Sequence, residues 1–136
     1  MSGFSTTRLP SAPTALAPDG SQVRILLGLS GGSMAHFELP QGQTARAVTH
    51  TTVEEIWYVL AGSGEIWRKH NDTEEIVHLH PGVCLTIPVG THFQFRASAT
   101  SVVSVIAITM PPWPGQGEAQ FVAGPWQPST FDQAQD

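Results

Sequence analysis

The sequence is short of charge. Asp, Glu, Lys and Arg make up 12% of its 136 residues, six basic against eleven acidic, for a net charge of −5. So few cations exclude the basic surface that non-specific nucleic-acid binding needs. A single cysteine excludes an internal disulfide and any inference of an oxidising compartment. No run of about 18 apolar residues is present, so no membrane span is expected. The opening stretch MSGFSTTRLPSAPTALAP is broken by prolines. It lacks the hydrophobic block and small-residue cleavage site of an export signal, and the cytoplasm is the expected location. No window carries a strong 3.6-residue apolar period, which excludes a helical domain.

What is present is a foldable apolar content of 40% with thirteen Gly and eleven Pro. The length allows one domain with one core. Turn signals recur at Asp19-Gly20, Ser30–Ser33, Pro40–Gly42, Gly62–Gly64, Asn71-Asp72, Pro81-Gly82 and Pro88–Gly90. Between them lie short runs rich in β-branched and aromatic residues, from Val23–Leu29 through Glu55–Leu60 and His92–Ala97 to Val102–Met110. Short strands between Gly/Pro turns predict an all-β sandwich or barrel. Three regions are expected: an N-terminal arm over 1–20, a barrel over 21–110 and an extension over 111–136. The extension holds Trp113, Phe121, Trp126 and Phe131, aromatics that a disordered linker rarely retains. Its Pro111–Gly115 stretch reads as an extended strap packed on the barrel or a partner subunit.

The chemistry concentrates in two segments. Residues 42–64 read GQTARAVTHTTVEEIWYVLAGSG, with His50 ending one strand and Glu55 opening the next. Strand alternation puts Glu55, Trp57 and Val59 on one face and Ile56, Tyr58 and Leu60 on the other. The second segment, PGVCLTIPVGTHFQFRA, places His92 just after a Pro-x-Gly turn.

These segments resemble the two motifs of the cupin superfamily. Gly42, five residues, Val48-Thr49-His50, four residues, Glu55, six residues and Gly62 reproduce the spacing of the first motif. Gly82, five residues and Pro88-Val89-Gly90, followed by His92, match the second. The resemblance implies an antiparallel double-stranded β-helix, or jelly roll, with a metal held inside by three His and one Glu.

Two departures stand out. Val48 occupies the position of the first of those His, and His92 arrives one residue early, with the terminal Asn absent. With a one-residue deletion in the turn, His92 points inward and Gln94 and Arg96 share its face. Without a gap, Phe93 and Phe95 point inward and His92 faces away, because a one-residue slip flips a strand. The first alignment is favoured, since it completes a two-His, one-carboxylate set of His50, Glu55 and His92. Such a set suits iron, manganese, nickel or zinc.

In that reading Gln94 or His36 orients or protonates a substrate as a catalytic residue; for His36, which shares a face with Glu38, an outward polar face is the competing assignment. Trp57, with Phe37 or Ile66, lines the cavity. Arg46 and Arg96 are candidate binders of a substrate carboxylate or phosphate, with a solvated rim the competing assignment. His78 and His80 alternate with Val77 and Leu79 and read as outward-facing. His70 reads as a hairpin tip, Glu54 as solvent-facing and Cys84 as a small core residue. The expected function is a metal-dependent small-molecule enzyme of dioxygenase, isomerase or cyclase type, the alternative a binding or sensing barrel with a degenerate metal site. The apolar outer face of Ile56, Tyr58 and Leu60 predicts a homodimer.

Overall fold

The computed structural model describes residues 3–129, so Phe131 lies outside the described residues. Its elements are β1 (Ala15–Leu16), β2 (Gln22–Leu29), β3 (Gly32–Leu39), β4 (Val48–His50), β5 (Glu54–Gly62), β6 (Gly64–His70), β7 (Thr73–Leu79), β8 (Cys84–Ile87), β9 (His92–Ala97), β10 (Val103–Met110) and β11 (Ala119–Phe121). Every strand lies close to a run expected from the sequence except the short β1 and β11, one at each end of the chain. Among the described residues there is no helix, hence none long and apolar enough to cross a membrane.

All pairings are antiparallel and form two sheets, β1-β2-β3-β10-β5-β8 and β11-β4-β9-β6-β7. The alternation in β5 decides its orientation: Glu55, Trp57 and Val59 are buried, while Ile56, Tyr58 and Leu60 are exposed. On β10 the residues in register with them, Thr109, Ala107 and Val105, are buried too. Leu39, Val59, Ile66, Leu79, Phe95 and Val105 belong to one apolar cluster drawn from both sheets. That cluster extends to Val48, Trp57 and Phe93, which also wall the cavity described below.

The β5–β6 turn needs glycine. Gly62 has φ +85°, and a Cβ there would collide with the Val102 carbonyl, so both backbone conformation and close strand approach exclude a side chain.

Each end of the chain is tied to the barrel. Arg24 donates to the carbonyls of Pro10 (2.8 Å) and Ser11 (3.1 Å), and β1 pairs with β2. At the other end β11 pairs with β4 in register Ala119↔His50. The Glu118 carboxylate accepts from Thr52 N (2.7 Å), Thr52 Oγ1 (2.8 Å) and Val53 N (2.8 Å). Burial pushes the Glu118 carboxyl up, but these hydrogen bonds outweigh it and leave its pKa below the usual carboxylate value.

Candidate functional site

Next to this core the barrel holds a cavity of about 320 Å³, within the usual size of a small-molecule site. Its walls are mainly apolar, among them Phe37, Val48, Trp57, Phe93 and Trp113. The mouth is bordered by Leu16, Ile25, Leu27 and Met34, all exposed. A register shift between Ile25 and Gly28 releases β2 from regular pairing there, as a bulge at a barrel rim does.

His50 and Glu55 face this cavity together. His50 comes from β4, whose Val48 points the same way, and Glu55 from the start of β5, where alternation turns it inward with Trp57. Trp57 Nε1–H donates to Glu55 Oε1 at 2.6 Å. The other carboxylate oxygen lies 3.5 Å from His50 Nδ1, too far for a good hydrogen bond, and Nδ1 is buried with no partner. The imidazole packs edge-on against Phe93 (ring centroids 5.3 Å) and Trp113 (5.0 Å).

These surroundings disfavour charge. Burial pushes the Glu55 carboxyl up to about 7; the Trp57 hydrogen bond opposes this and nearby Asp19 adds to it. Burial pushes the His50 imidazole down to about 4, partly offset by Glu118. At neutral pH His50 is uncharged and Glu55 is close to half protonated.

The expected third member of the set is elsewhere. Phe93 is buried and lines the cavity beside His50, in register with Val48. His92 sits on the opposite face of β9, paired with Lys69 and Thr49. The favoured alignment is thus corrected to the ungapped one. The physical reason lies in β9 itself: facing Phe93, Phe95 and Ala97 inward buries two phenyl rings, each worth about 1.5–3 kcal/mol. Turning His92, Gln94 and Arg96 inward would bury three polar groups instead.

The two residues expected to handle protons also lie outside the cavity. His36 faces outward, its Nδ1 3.5 Å from Arg24 Nη1, and burial followed by the Arg24 charge lowers its pKa. Gln94 is fully occupied in holding the tail: Nε2 donates to the Ala45 and Trp126 carbonyls (2.9 Å each), and Oε1 accepts from Trp126 N (3.1 Å).

Neither arginine reaches the ligand space. Arg46 Nη1 donates to the Pro18 carbonyl at 3.1 Å, and the guanidinium lies over the Phe121 ring. Arg96 pairs with Glu65 at 2.7 Å and lies 4.0 Å from the Trp126 ring centroid. Trp57 does line the cavity, as does Phe37, whereas Ile66 packs in the core. His78 and His80 are exposed, and His70 ends β6 at the hairpin turn. Cys84, expected in the core, is exposed on β8 at the sheet edge.

Sequence reasoning missed three residues of the site. Trp113 reaches His50 from the strap, and Glu118 lies close enough for its charge to act on that imidazole. Asp19, on the β1–β2 turn, lines the cavity itself. Its turn was legible from Asp19-Gly20, but where the turn would dock was not.

Two antiparallel sheets enclosing a ligand-sized cavity, with its paired imidazole and carboxyl drawn from the first motif segment, define a double-stranded β-helix barrel. The family described as the cupin domain matches residues 35–109, and the chain belongs to it. No curated protein matches the sequence. The fold is shared with an uncharacterized conserved protein with a double-stranded beta-helix domain from Klebsiella pneumoniae, at 15% identity and TM-score 0.61, covering 76% of this chain and 85% of that one. KdgF from Halomonas sp. is 20% identical with TM-score 0.61, covering 72% and 85%. A variant of Streptomyces PAC13, solved with uridine, is 12% identical with TM-score 0.67, covering 88% and 92%.

Cupin domains commonly hold a metal, and the donor set here does not fit one. Val48 and Phe93, which carry no donor atoms, stand beside His50 where the resemblance calls for imidazoles. Among the described residues no group of three or more His, Cys, Asp or Glu is placed to hold an ion.

Proposed function

We propose that the barrel binds an uncharged, mainly apolar small molecule and that His50 and Glu55 exchange a proton with its single polar group. The observation carrying this reading is the unpartnered Nδ1 of the buried His50 beside the Glu55 carboxyl in an otherwise apolar cavity. A buried polar atom without a partner costs about 1–3 kcal/mol, and a ligand hydroxyl or carbonyl supplies the missing bond. A carboxyl with a pKa near 7 suits general acid–base work at neutral pH, where donor and acceptor forms coexist. Trp57 holds Glu55 in place through one oxygen and leaves the other facing His50. Phe93, Trp113 and Phe37 supply apolar contacts and limit water.

Binding without turnover is the second reading, favoured by Val48 and Phe93 standing where donors would complete a metal centre. Phenylacetone, compact and uncharged with one carbonyl, separates the two. Under the first reading it shifts the Trp57 indole N–H resonance and the protein accelerates exchange of its α-protons in D2O. Glu55→Gln then lowers the exchange rate by about 10²–10⁴-fold while binding survives. Binding without exchange leaves only the second reading, and no shift at Trp57 overturns both.

A second copy of the chain is proposed to cover the exposed outer face of β5, which Ile56, Tyr58 and Leu60 make apolar.

A further inference from the structure

The β1–β2 turn brings a second carboxyl to the cavity. Gly20 N donates to the Ala17 carbonyl (2.9 Å) and Ala17 N to the Ser21 carbonyl (2.8 Å), which closes the turn tightly. Arg46 N donates to the Asp19 carbonyl (2.8 Å) and Arg46 Nη1 to that of Pro18 (3.1 Å), docking the turn on the barrel. Asp19 Oδ1 accepts from Ser21 N (2.9 Å) and Ser21 Oγ (2.7 Å), which fixes the carboxyl's direction. Buried against this wall, Asp19 lines the same cavity as Glu55 and His50.

A turn aspartate bonded to the residue two ahead is common and needs no ligand to explain it. Two observations go further here. Asp19 is buried and is one of the residues lining the ligand space. The same space holds the His50 imidazole, itself more than nine-tenths buried, with Nδ1 unpartnered.

The groups facing the cavity are one-sided in sign. β4 contributes neutral His50, β5 contributes Glu55, and the turn contributes Asp19. Ser33 and Thr109 add hydroxyls bonded to each other. Among the described residues no Lys or Arg lines the cavity; burial pushes the Asp19 carboxyl up, opposed by its Ser21 hydrogen bonds and by Arg46 behind the turn. Glu118, beyond His50, adds a further negative charge. In low dielectric, like charges interact far more strongly than in water, so an anionic ligand is repelled by whichever of these carboxyls is ionised and meets no cation in the cavity lining.

We propose that Asp19 is a specificity-determining residue: with Glu55 it presents two carboxyl groups to the ligand space, so the cavity admits uncharged or amine-bearing aromatic ligands and rejects carboxylates and phosphates. The inference rests on the small-molecule reading above. Trp57, Phe93 and Trp113 line the same cavity, and their ring faces favour a cation as well as a neutral ring.

Three probes of one shape, benzyl alcohol, benzylamine and benzoate, are titrated into the wild-type protein and followed at the Trp57 indole N–H. Benzoate is expected to bind at least about tenfold more weakly than benzyl alcohol, with benzylamine no weaker than the alcohol. Asp19→Asn keeps an acceptor for Ser21 and removes the charge. It is expected to narrow the benzoate gap by about three- to tenfold and to weaken benzylamine. Should that variant not fold, Asp19→Ser gives the same comparison. Equal binding of benzoate and benzyl alcohol by the wild type overturns the proposal. So does a benzoate gap unchanged by removing the Asp19 charge, with the small-molecule reading intact. If none of the three probes moves the Trp57 signal, the small-molecule reading itself falls and the proposal with it.

Discussion

His50 and Glu55 respond to the same burial in opposite directions, and this gives them opposing contributions to the pH dependence of stability. Glu55 has a folded-state pKa of about 7 against an ordinary 4.5. It binds extra protons in the native state, so its contribution is present at low pH and is lost as pH rises from about 4.5 through 7. His50, lowered from 6.5 to about 4, binds fewer protons when folded, so its contribution is lost as pH falls through that window. Each effect is bounded at about 3 kcal/mol, and the two offset one another over most of the range. The contributions of this pair are therefore expected to cancel largely between about pH 4.5 and 6.5, leaving the wild-type slope to the other shifted groups, Asp19, His36 and Glu118. Glu55→Gln should leave a stability that rises with pH, and His50→Gln one that falls. Urea unfolding of all three proteins across that range measures this, and parallel curves would contradict it. The pair was legible in the sequence because the resemblance to the first cupin motif implies inward faces for His50 and Glu55, which strand alternation alone leaves undecided. Asp19, Trp113 and Glu118 were not, because each reaches the site through docking of a terminal segment whose landing place no local pattern specifies.

Strand β9 decides what kind of cavity forms. Its sequence supported two registers, and the motif resemblance favoured the one that turns His92 inward. The structure takes the other because Phe93 and Phe95 gain more from burial than His92 and Gln94 could. The signal was present in the alternation of aromatic and polar residues along His92–Ala97. His92→Ala should change stability by less than about 0.5 kcal/mol, while Phe93→Ala should cost about 3–5 kcal/mol. Chemical denaturation of the two variants separates the registers: a reversed order would put the imidazole inside. One side chain, Gln94, fastens the Trp126 segment of the tail, beside backbone bonds from Val122 N to Ala47 O and from Ser129 N to Thr44 O. Gln94→Ala leaves the Trp126 amide and carbonyl without their partner, a loss of about 1–3 kcal/mol. Faster hydrogen exchange at Trp126 is expected, and unchanged protection would mean the tail is held elsewhere.

At the scale of the whole molecule, the two-sheet barrel followed from regular Gly/Pro turns separating short apolar strands. The outer face of β5 remains open in a single chain. Ile56, Tyr58 and Leu60 are each more than 40% exposed, and Met34 lies two strands away across β10, with Ile108 in register between it and Ile56. Light scattering is expected to give twice the 14.6 kDa chain mass at micromolar concentration, and Tyr58→Glu to halve it. A wild-type monomer would show that this face tolerates water.

The central claim is that ligand recognition comes from the apolar cavity with its neutral His50 imidazole and the Glu55 carboxyl, with His92 uninvolved. Benzyl alcohol added to chelator-treated protein tests it most directly, with the Trp57 and His92 side-chain resonances observed together. The prediction is a shift at Trp57, none at His92, and no change in affinity when zinc or iron(II) is then supplied. Binding that appears only after metal is restored, accompanied by movement of the His92 signal, would contradict the account.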